Sequence, residues 1–441
     1  MQHKPVRRHG DNRARRITRF RPKRRDREKQ QPGAWRTDHS RLGNGRSLRL
    51  ASVTSALTWA TLLIWATLVG SASPGWTLTD RWHIEEGRAI EDPPPDNLLF
   101  SASCPSAKVC VAVGDNGHGN FQGTFVETMD KDSWTVTPSP VTASPYIDDS
   151  LNAVSCTSPT SCAAAGRAMD ITGTRERTLV LSLKGGTWRL SPSPDTTAAL
   201  NSLAGISCAS STSCVAVGYD GTPSSQKTLV ESLSNGTWRV MPSPVAGPPY
   251  DVNFLNAVSC VSLTHCVAAG FAADPTGMES RTLIETLSGG SWRITPSPDT
   301  SSPTNELYGV QCTTPTSCIA VGDDGSISTQ RALVETLSGG SWRVTPSPDT
   351  SLGLNELFYA WCRSRTSCGA AGYAMNPQAT EARTLIETLS GGVWRITPSP
   401  NTAAPLNELY GYSCAPSGAC YAVGVEGTSS AQEALIETSA G

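Results

Sequence analysis

The fourteen cysteines of this 441-residue chain fall into seven pairs of a single spacing, Cys-x5-Cys. They are Cys104 and Cys110, Cys156 and Cys162, Cys208 and Cys214, Cys260 and Cys266, Cys312 and Cys318, Cys362 and Cys368, and Cys414 and Cys420. Successive first cysteines lie 52, 52, 52, 52, 50 and 52 residues apart. Four residues after each second cysteine stands a glycine: Gly114, Gly166, Gly218, Gly270, Gly322, Gly372 and Gly424. A tryptophan also recurs, at Trp134, Trp188, Trp238, Trp292, Trp342 and Trp394. Such a chain folds as copies of one small unit, each burying its apolar face against the next.

The content of a copy sets its secondary structure. In the fifth, Leu307-Tyr-Gly-Val-Gln-Cys312, Cys318-Ile-Ala-Val-Gly322, Ala332-Leu-Val-Glu-Thr-Leu337 and Trp342-Arg-Val-Thr345 are short apolar segments. Gly, Pro, Ser and Thr separate them, so they read as four strands. The Gly-Gly and Asn235-Gly236 pairs suit two-residue hairpin turns, whose central residues need positive φ. Four antiparallel strands in roughly 50 residues is the size of one propeller blade. The seventh copy ends without its Trp-Arg-x-Thr strand, but Trp82-His-Ile-Glu85 lies 22 residues before Cys104, where a fourth strand belongs. The sequence therefore predicts an all-β, seven-bladed β-propeller over residues 76–441, its last blade closed by the N-terminal strand near Trp82.

Each cysteine pair flanks a five-residue loop between first and second strands, which predicts one local disulfide per blade. Metal binding is the alternative, but three of the six histidines lie before residue 50 and Cys-x5-Cys is not a usual zinc spacing. No cofactor motif is present, and the ring is read as a monomer.

The charge is strongly uneven. Residues 1–50 hold 17 Lys/Arg against 4 Asp/Glu, while the rest hold 19 against 34. The acidic body excludes a uniformly basic nucleic-acid binder. Residues 1–49 read as a disordered basic leader, either a solvated n-region or upstream sequence mis-assigned as coding, with an arm for nucleic acid or anionic lipid as the alternative. Leu50 to Thr79 contain no charge. Residues 50–73 are a signal peptide, with the small residues Gly70-Ser-Ala-Ser73 suiting cleavage, or an uncleaved membrane anchor touching the bilayer through residues 50–72. Either choice places everything beyond residue 75 outside the cell.

Loops joining first to second and third to fourth strands are short and uniform. Those on the other face vary, the gap after the repeat glycine alternating between 10 and 12 residues. A rigid ring with divergent loops on one face commonly carries binding there. Candidate ligand-binding residues are Tyr219, Phe271 and Tyr373 after the repeat glycine, Tyr146 and Tyr250 in matching linkers, and Asp148 and Asp251. The aromatics either stack on sugars or a protein partner, or pack on neighbouring loops. Asp115-Asn-Gly-His-Gly-Asn120 is either a calcium loop or an Asx/Gly turn. Glu127, Glu231, Glu285, Glu335, Glu387 and Glu437 recur on the third strand and read as architectural hydrogen-bond acceptors.

The Val-Ser-Cys, Ala-Val-Gly, Thr-Leu-x-Glu and Trp-x-x-x-Pro-Ser-Pro series resembles the uncharacterised repeats of secreted bacterial propeller proteins, across residues 76–441. Ser288-Gly-Gly-Ser-Trp292 is similar to the Asp-box hairpin of sialidase-like propellers, without that motif's Asp and Gly spacing, so sialidase chemistry does not carry over. Kelch-type repeats are similar in size only. The resulting expectation is a non-catalytic extracellular binding or scaffold module for a glycan or protein. The alternatives are a purely structural envelope protein, or a carbohydrate-active hydrolase or lyase with Asp148, Asp149, Asp251 and His118 as first suspects in the funnel.

Overall fold

The computed structural model describes residues 82–85, 96–118, 121–131, 133–326 and 328–439. The leader over 1–49 and the hydrophobic segment over 50–73 lie outside the described residues. Among the described residues there are twenty-eight strands and no helix long and apolar enough to cross a membrane.

Each copy builds four strands, as its turn chemistry requires. In the fifth, the inner strand Thr304–Thr314 pairs antiparallel with Ser317–Ser326. That strand pairs with Thr329–Ser338, which carries the outer strand Ser341–Thr345. Gly339 and Gly340 make the last turn with φ of 61° and 81°, the double positive value that a tight hairpin needs. The alternating gap is also structural. Copies three, five and seven use tight turns (Thr222 opposite Ser225, Ser326 opposite Thr329, Thr428 opposite Ala431). Copies two, four and six use longer loops capped by Asp170, Asp274 and Asn376, whose Oδ1 atoms accept from the N–H of Thr174, Glu279 and Thr380 at 2.9–3.0 Å.

Inner strands pack on one another in chain order, and that of the seventh copy (Leu406–Cys414) packs on that of the first (Asp96–Ser106). Three contacts close the circle. Trp82–Glu85 pairs antiparallel with Ala431–Ser439, Trp82 opposite Ser439 and Glu85 opposite Ile436. The Cys104 N–H donates to Ser413 Oγ at 3.1 Å. Trp134 meets Tyr421 edge-on at 5.9 Å in the core between first and last blades. Trp82 is buried with Leu435 and Tyr412, between blades six and seven, as Trp394 is between five and six. The expected seven-bladed ring, zipped by its N-terminal strand, is the observed fold.

Two belts of hydrogen bonds join the blades. The serine before the first cysteine accepts from the first-cysteine N–H of the next blade: Ser103 from Cys156, Ser155 from Cys208, Ser207 from Cys260 and Ser259 from Cys312, each at 3.0 Å. Blades five and six carry Gln311 and Trp361 at that place. Farther out, the serine of five of the six Pro-Ser-Pro segments donates to the recurring glutamate of the following blade: Ser193 to Glu231, Ser243 to Glu285 and Ser297 to Glu335 at 2.6–2.7 Å, then Ser347 to Glu387 and Ser399 to Glu437. Ser139 instead donates to the Thr124 carbonyl, since blade two has Leu181 at the glutamate's place. These glutamates are fully buried, and burial pushes each carboxyl up to about 7. They are the architectural acceptors expected from their recurrence.

Every cysteine is bonded to the partner its spacing predicts. Cys104 joins Cys110, Cys156 joins Cys162, Cys208 joins Cys214 and Cys260 joins Cys266. In the last three blades Cys312 joins Cys318, Cys362 joins Cys368 and Cys414 joins Cys420. Each bond staples the hairpin between first and second strands, and no free cysteine occurs among the described residues. The metal alternative therefore has no thiolate to use. Disulfides of this number belong to an oxidising compartment.

Candidate functional site, an axial funnel

A cavity of about 750 Å³ runs into the ring along its axis, lined by residues of all seven blades. The variable-loop face contributes Ile171, Thr172, Gly173 and Ala379 to its wall, so the funnel opens where divergent loops were expected.

Its lining is produced by an irregularity repeated in every inner strand. Pairing with the second strand slips by one residue after the strand's leucine, at Phe100, Asn152, Ala204, Asn256, Tyr308, Phe358 and Tyr410. A β-bulge re-aims the side chain of the extra residue. All seven of these residues line the cavity. The repeat glycine makes the bulge feasible. A Cβ on Gly114, Gly166, Gly218, Gly270, Gly322, Gly372 or Gly424 would lie 1.8–2.0 Å from the carbonyl oxygen of the residue that precedes the paired leucine on the inner strand. Only a residue without a side chain fits there.

Two residues before each bulge, on the same face of the strand, stand Leu98, Ser150, Ser202, Phe254, Glu306, Glu356 and Glu408. Blades five to seven thereby build an acidic and aromatic wall. Tyr308 donates to Glu306 Oε2 at 3.0 Å, and Tyr410 donates to Glu408 Oε2. Blade six has Phe358 at the bulge, and its hydroxyl comes instead from Tyr373, which donates to Glu356 Oε2 at 3.1 Å. Phe358 stacks between Tyr308 (5.0 Å) and Tyr373 (5.4 Å), with Tyr410 edge-on at 5.3 Å. Burial, then mutual repulsion, raises these carboxyls. Glu356 is pushed up to about 7 by burial and by Glu408 and Glu306, and Asp323 behind it is raised well above the carboxylate range by burial, Glu356 and Glu306. Burial also raises Glu306 and Glu408. These groups hold protons that exposed carboxylates would have lost.

The opposite wall carries Arg167, the one cation of the lining among the described residues. Arg167 pairs with Glu176 at 2.7 Å, and the Tyr219 hydroxyl donates to the other Glu176 oxygen at 2.9 Å. Burial would lower the Arg167 pKa, but Glu176 and Asp148 more than offset it and hold the guanidinium charged.

The sequence candidates distribute unevenly. Phe271, Tyr373 and Asp148 line the funnel. Tyr219 and Phe271 are buried around Phe254 (4.6 and 5.1 Å) rather than presented on a rim, because the residue after the repeat glycine points to the axis. Phe271 thus both packs on Phe254 and lines the funnel, while Tyr219 packs on Phe254 and bonds Glu176. Tyr146 and Tyr250 lie under the guanidinium groups of Arg177 and Arg281, each at 3.9 Å, and Tyr250 also accepts from Arg281. Asp251 is exposed and away from the cavity wall. Asp149 is buried and accepts from the Thr142 N–H and hydroxyl, the loop-capping role that Asn201, Asn305 and Asn407 fill in other blades. Asp148, Asp149 and Asp251 are therefore not gathered in one place. His118 is described only as backbone, in the strand Val109–His118. That strand runs through Asp115, Asn116 and Gly117, paired on both sides, so the described part of the proposed calcium loop is sheet; residues 119–120 lie outside the described residues.

The funnel glutamates and Tyr308, Phe358 and Tyr410 were not singled out from the sequence. A signal existed. The buried pair in each inner strand (Leu307 and Val310, Leu203 and Ile206, Leu255 and Val258) is spaced three apart, whereas an unbroken strand spaces same-face residues by two or four.

No sequence family matches this chain, and no curated protein matches it either. Among solved structures it is similar to YCF48 bound to a D1 peptide, with 13% identity over 82% of this chain and 97% of that one and a TM-score of 0.48. It is also similar to a protein of unknown function from Dyadobacter fermentans (11% identity, 65% of this chain, 92% of that one, TM-score 0.46). A third similarity is to the N11 neuraminidase-like protein of influenza A/flat-faced bat/Peru/033/2010, at 11% identity, 65% and 86% coverage and a TM-score of 0.41. Likeness at this level bears on no functional assignment; the ring stands on its own strand pairing.

Proposed function

We propose that this protein is an extracellular or cell-surface binding module, a rigid ring that seats part of a glycan or protein partner in its axial funnel. One observation carries the reading. The residue before the bulge is leucine in all seven blades (Leu99, Leu151, Leu203, Leu255, Leu307, Leu357, Leu409), while the residue before that differs: Leu98, Ser150, Ser202, Phe254, Glu306, Glu356 and Glu408, all but Ser202 lining the funnel. The axis gathers glutamates on three consecutive blades, a clustering that blade packing does not require. The seven disulfides and the uncharged stretch behind a basic leader support export. The test is binding of the full-length protein to a glycan array and to extracellular protein fractions. Saturable binding that Glu306→Gln weakens and Asp251→Asn leaves alone is expected. Binding indifferent to Glu306→Gln would remove the funnel from the account.

A second reading, a carbohydrate-active enzyme, is favoured by one feature. Glu356 has the raised carboxyl of a general acid and lies among other acids in a cavity. Released sugar from a polysaccharide, abolished by Glu356→Gln, would replace the binding module with catalysis.

A further inference from the structure

Resting on the binding-module reading, we infer that the funnel recognises an organic cation, an alkylammonium or guanidinium group, seated against the wall of blades five to seven. Three independent features converge on this class. The first is charge. Among the described residues the cavity lining holds the carboxyl groups of Asp115, Asp148, Asp170, Glu306, Glu356 and Glu408 against the single guanidinium of Arg167, and Arg167 is already engaged by Glu176. A cationic ligand can take the place of the protons that the buried carboxyls hold, whereas an anionic one would meet repulsion in a narrow cavity.

The second is aromatic surface. Tyr308, Phe358 and Tyr373 form a stacked row, and Tyr410 turns its ring across Phe358. All four line the cavity with the glutamates. Ring faces beside carboxylates are the surroundings that attract ammonium and guanidinium groups. The third is an unfilled hydrogen bond. Glu408 is 2% exposed and lines the cavity, and its Oε2 takes the Tyr410 hydroxyl, while Oε1 has no partner. An N–H donor entering the funnel would satisfy that oxygen.

A bare metal ion suits the site less well. Among the described residues no three His, Cys, Asp or Glu groups converge closely enough to ligate one. A neutral sugar would satisfy hydroxyl and carboxyl hydrogen bonds but not the charge. An extended cation does both.

The empty wall holds protons because its carboxyls are buried and close together, Glu356 being pushed up to about 7. A cation that seats there favours their ionised form and expels protons to solvent. Binding therefore tightens as pH rises from 6 to 8, the opposite of a ligand that needs the neutral acids as donors.

The experiment is titration calorimetry of the full-length protein with tetramethylammonium, spermidine and a blocked tripeptide bearing a central arginine. It is run in two buffers of different ionisation enthalpy, with mannose as the neutral probe. Saturable binding of at least one cation is expected, with release on the order of one proton per ligand near pH 6.5. A loss of about tenfold or more in Glu356→Gln is also expected, since that variant keeps the shape and removes a charge. Stronger binding of the tripeptide assigns the group to a polypeptide side chain, and stronger binding of the small cations assigns it to a free metabolite. Failure of all three cations overturns the inference, as does proton uptake on binding or an unchanged affinity in Glu356→Gln. The proton count on the unmutated protein decides the matter even if the variant folds poorly. Mannose binding without cation binding would sink the cation and leave the binding module standing.

Discussion

Replacing Glu285 by glutamine removes one proton site from the outer belt and leaves its shape, so it isolates what the buried carboxyl does to stability. Glu285 is fully buried, takes the Ser243 hydroxyl at 2.7 Å, and is pushed by burial from 4.5 to about 7. The folded protein therefore keeps its proton between pH 4.5 and about 7, where the unfolded chain has lost it. Stability from this group is fully present below pH 4.5, falls as pH rises to about 7, and is flat above it. A shift of this size corresponds to roughly 3 kcal/mol at 1.36 kcal/mol per unit. Urea unfolding at pH 5 and pH 8 reads it directly. With an m-value of about 3 kcal/mol/M, the wild-type midpoint falls between the two pH values by about 1 M more than that of Glu285→Gln. The other four glutamates and the funnel acids titrate in both proteins and cancel in the difference. Equal pH dependence in wild type and variant would refute the claim that the belt is held by protonated carboxyls.

Other perturbations test other links. Gly322→Ala places a Cβ 1.9 Å from the Glu306 carbonyl oxygen and costs more than about 4 kcal/mol or prevents folding, whereas Gly339→Ala, in an open turn at φ 61°, costs about 1 kcal/mol; thermal melts distinguish them. Ser259→Ala deletes the bond to the Cys312 N–H and lowers stability by about 1 to 3 kcal/mol in denaturant titration, because a buried donor is left unmatched. Trp82→Ala opens a cavity beside Leu435 and Tyr412 and costs about 3 to 5 kcal/mol, with aggregation rising as the edge of Ala431–Ser439 is uncovered, measured by melting and light scattering.

The ring itself was legible because its determinants are local and repeated. Cysteine spacing, the Gly-Gly turns and the displaced Trp82 each name a position in a blade, and seven copies make the register unmistakable. The alternation of loop length was also visible, and Asp170, Asp274 and Asn376 supply its cause. The funnel was not legible in the same way. Which side chains face the axis depends on a one-residue slip against the second strand, and pairing register is a property of two segments. Without that slip Tyr219 and Phe271 read as rim residues, and Glu306, Glu356 and Glu408 as one more turn of a polar pattern. Asp149 misled for a related reason. Its acidity drew notice, while the asparagines at the same place in other blades show it to be a cap.

The inner belt of serines is interrupted at Gln311 and Trp361, and these are the two seams that bound blade six. That blade lacks the inner tie at both of its seams and keeps the outer ones, Ser347 to Glu387 and Ser399 to Glu437, and it supplies Glu356, Phe358 and Tyr373 to the funnel wall. An occupant of the proposed site spanning blades five to seven would bridge the two seams that lack the inner tie.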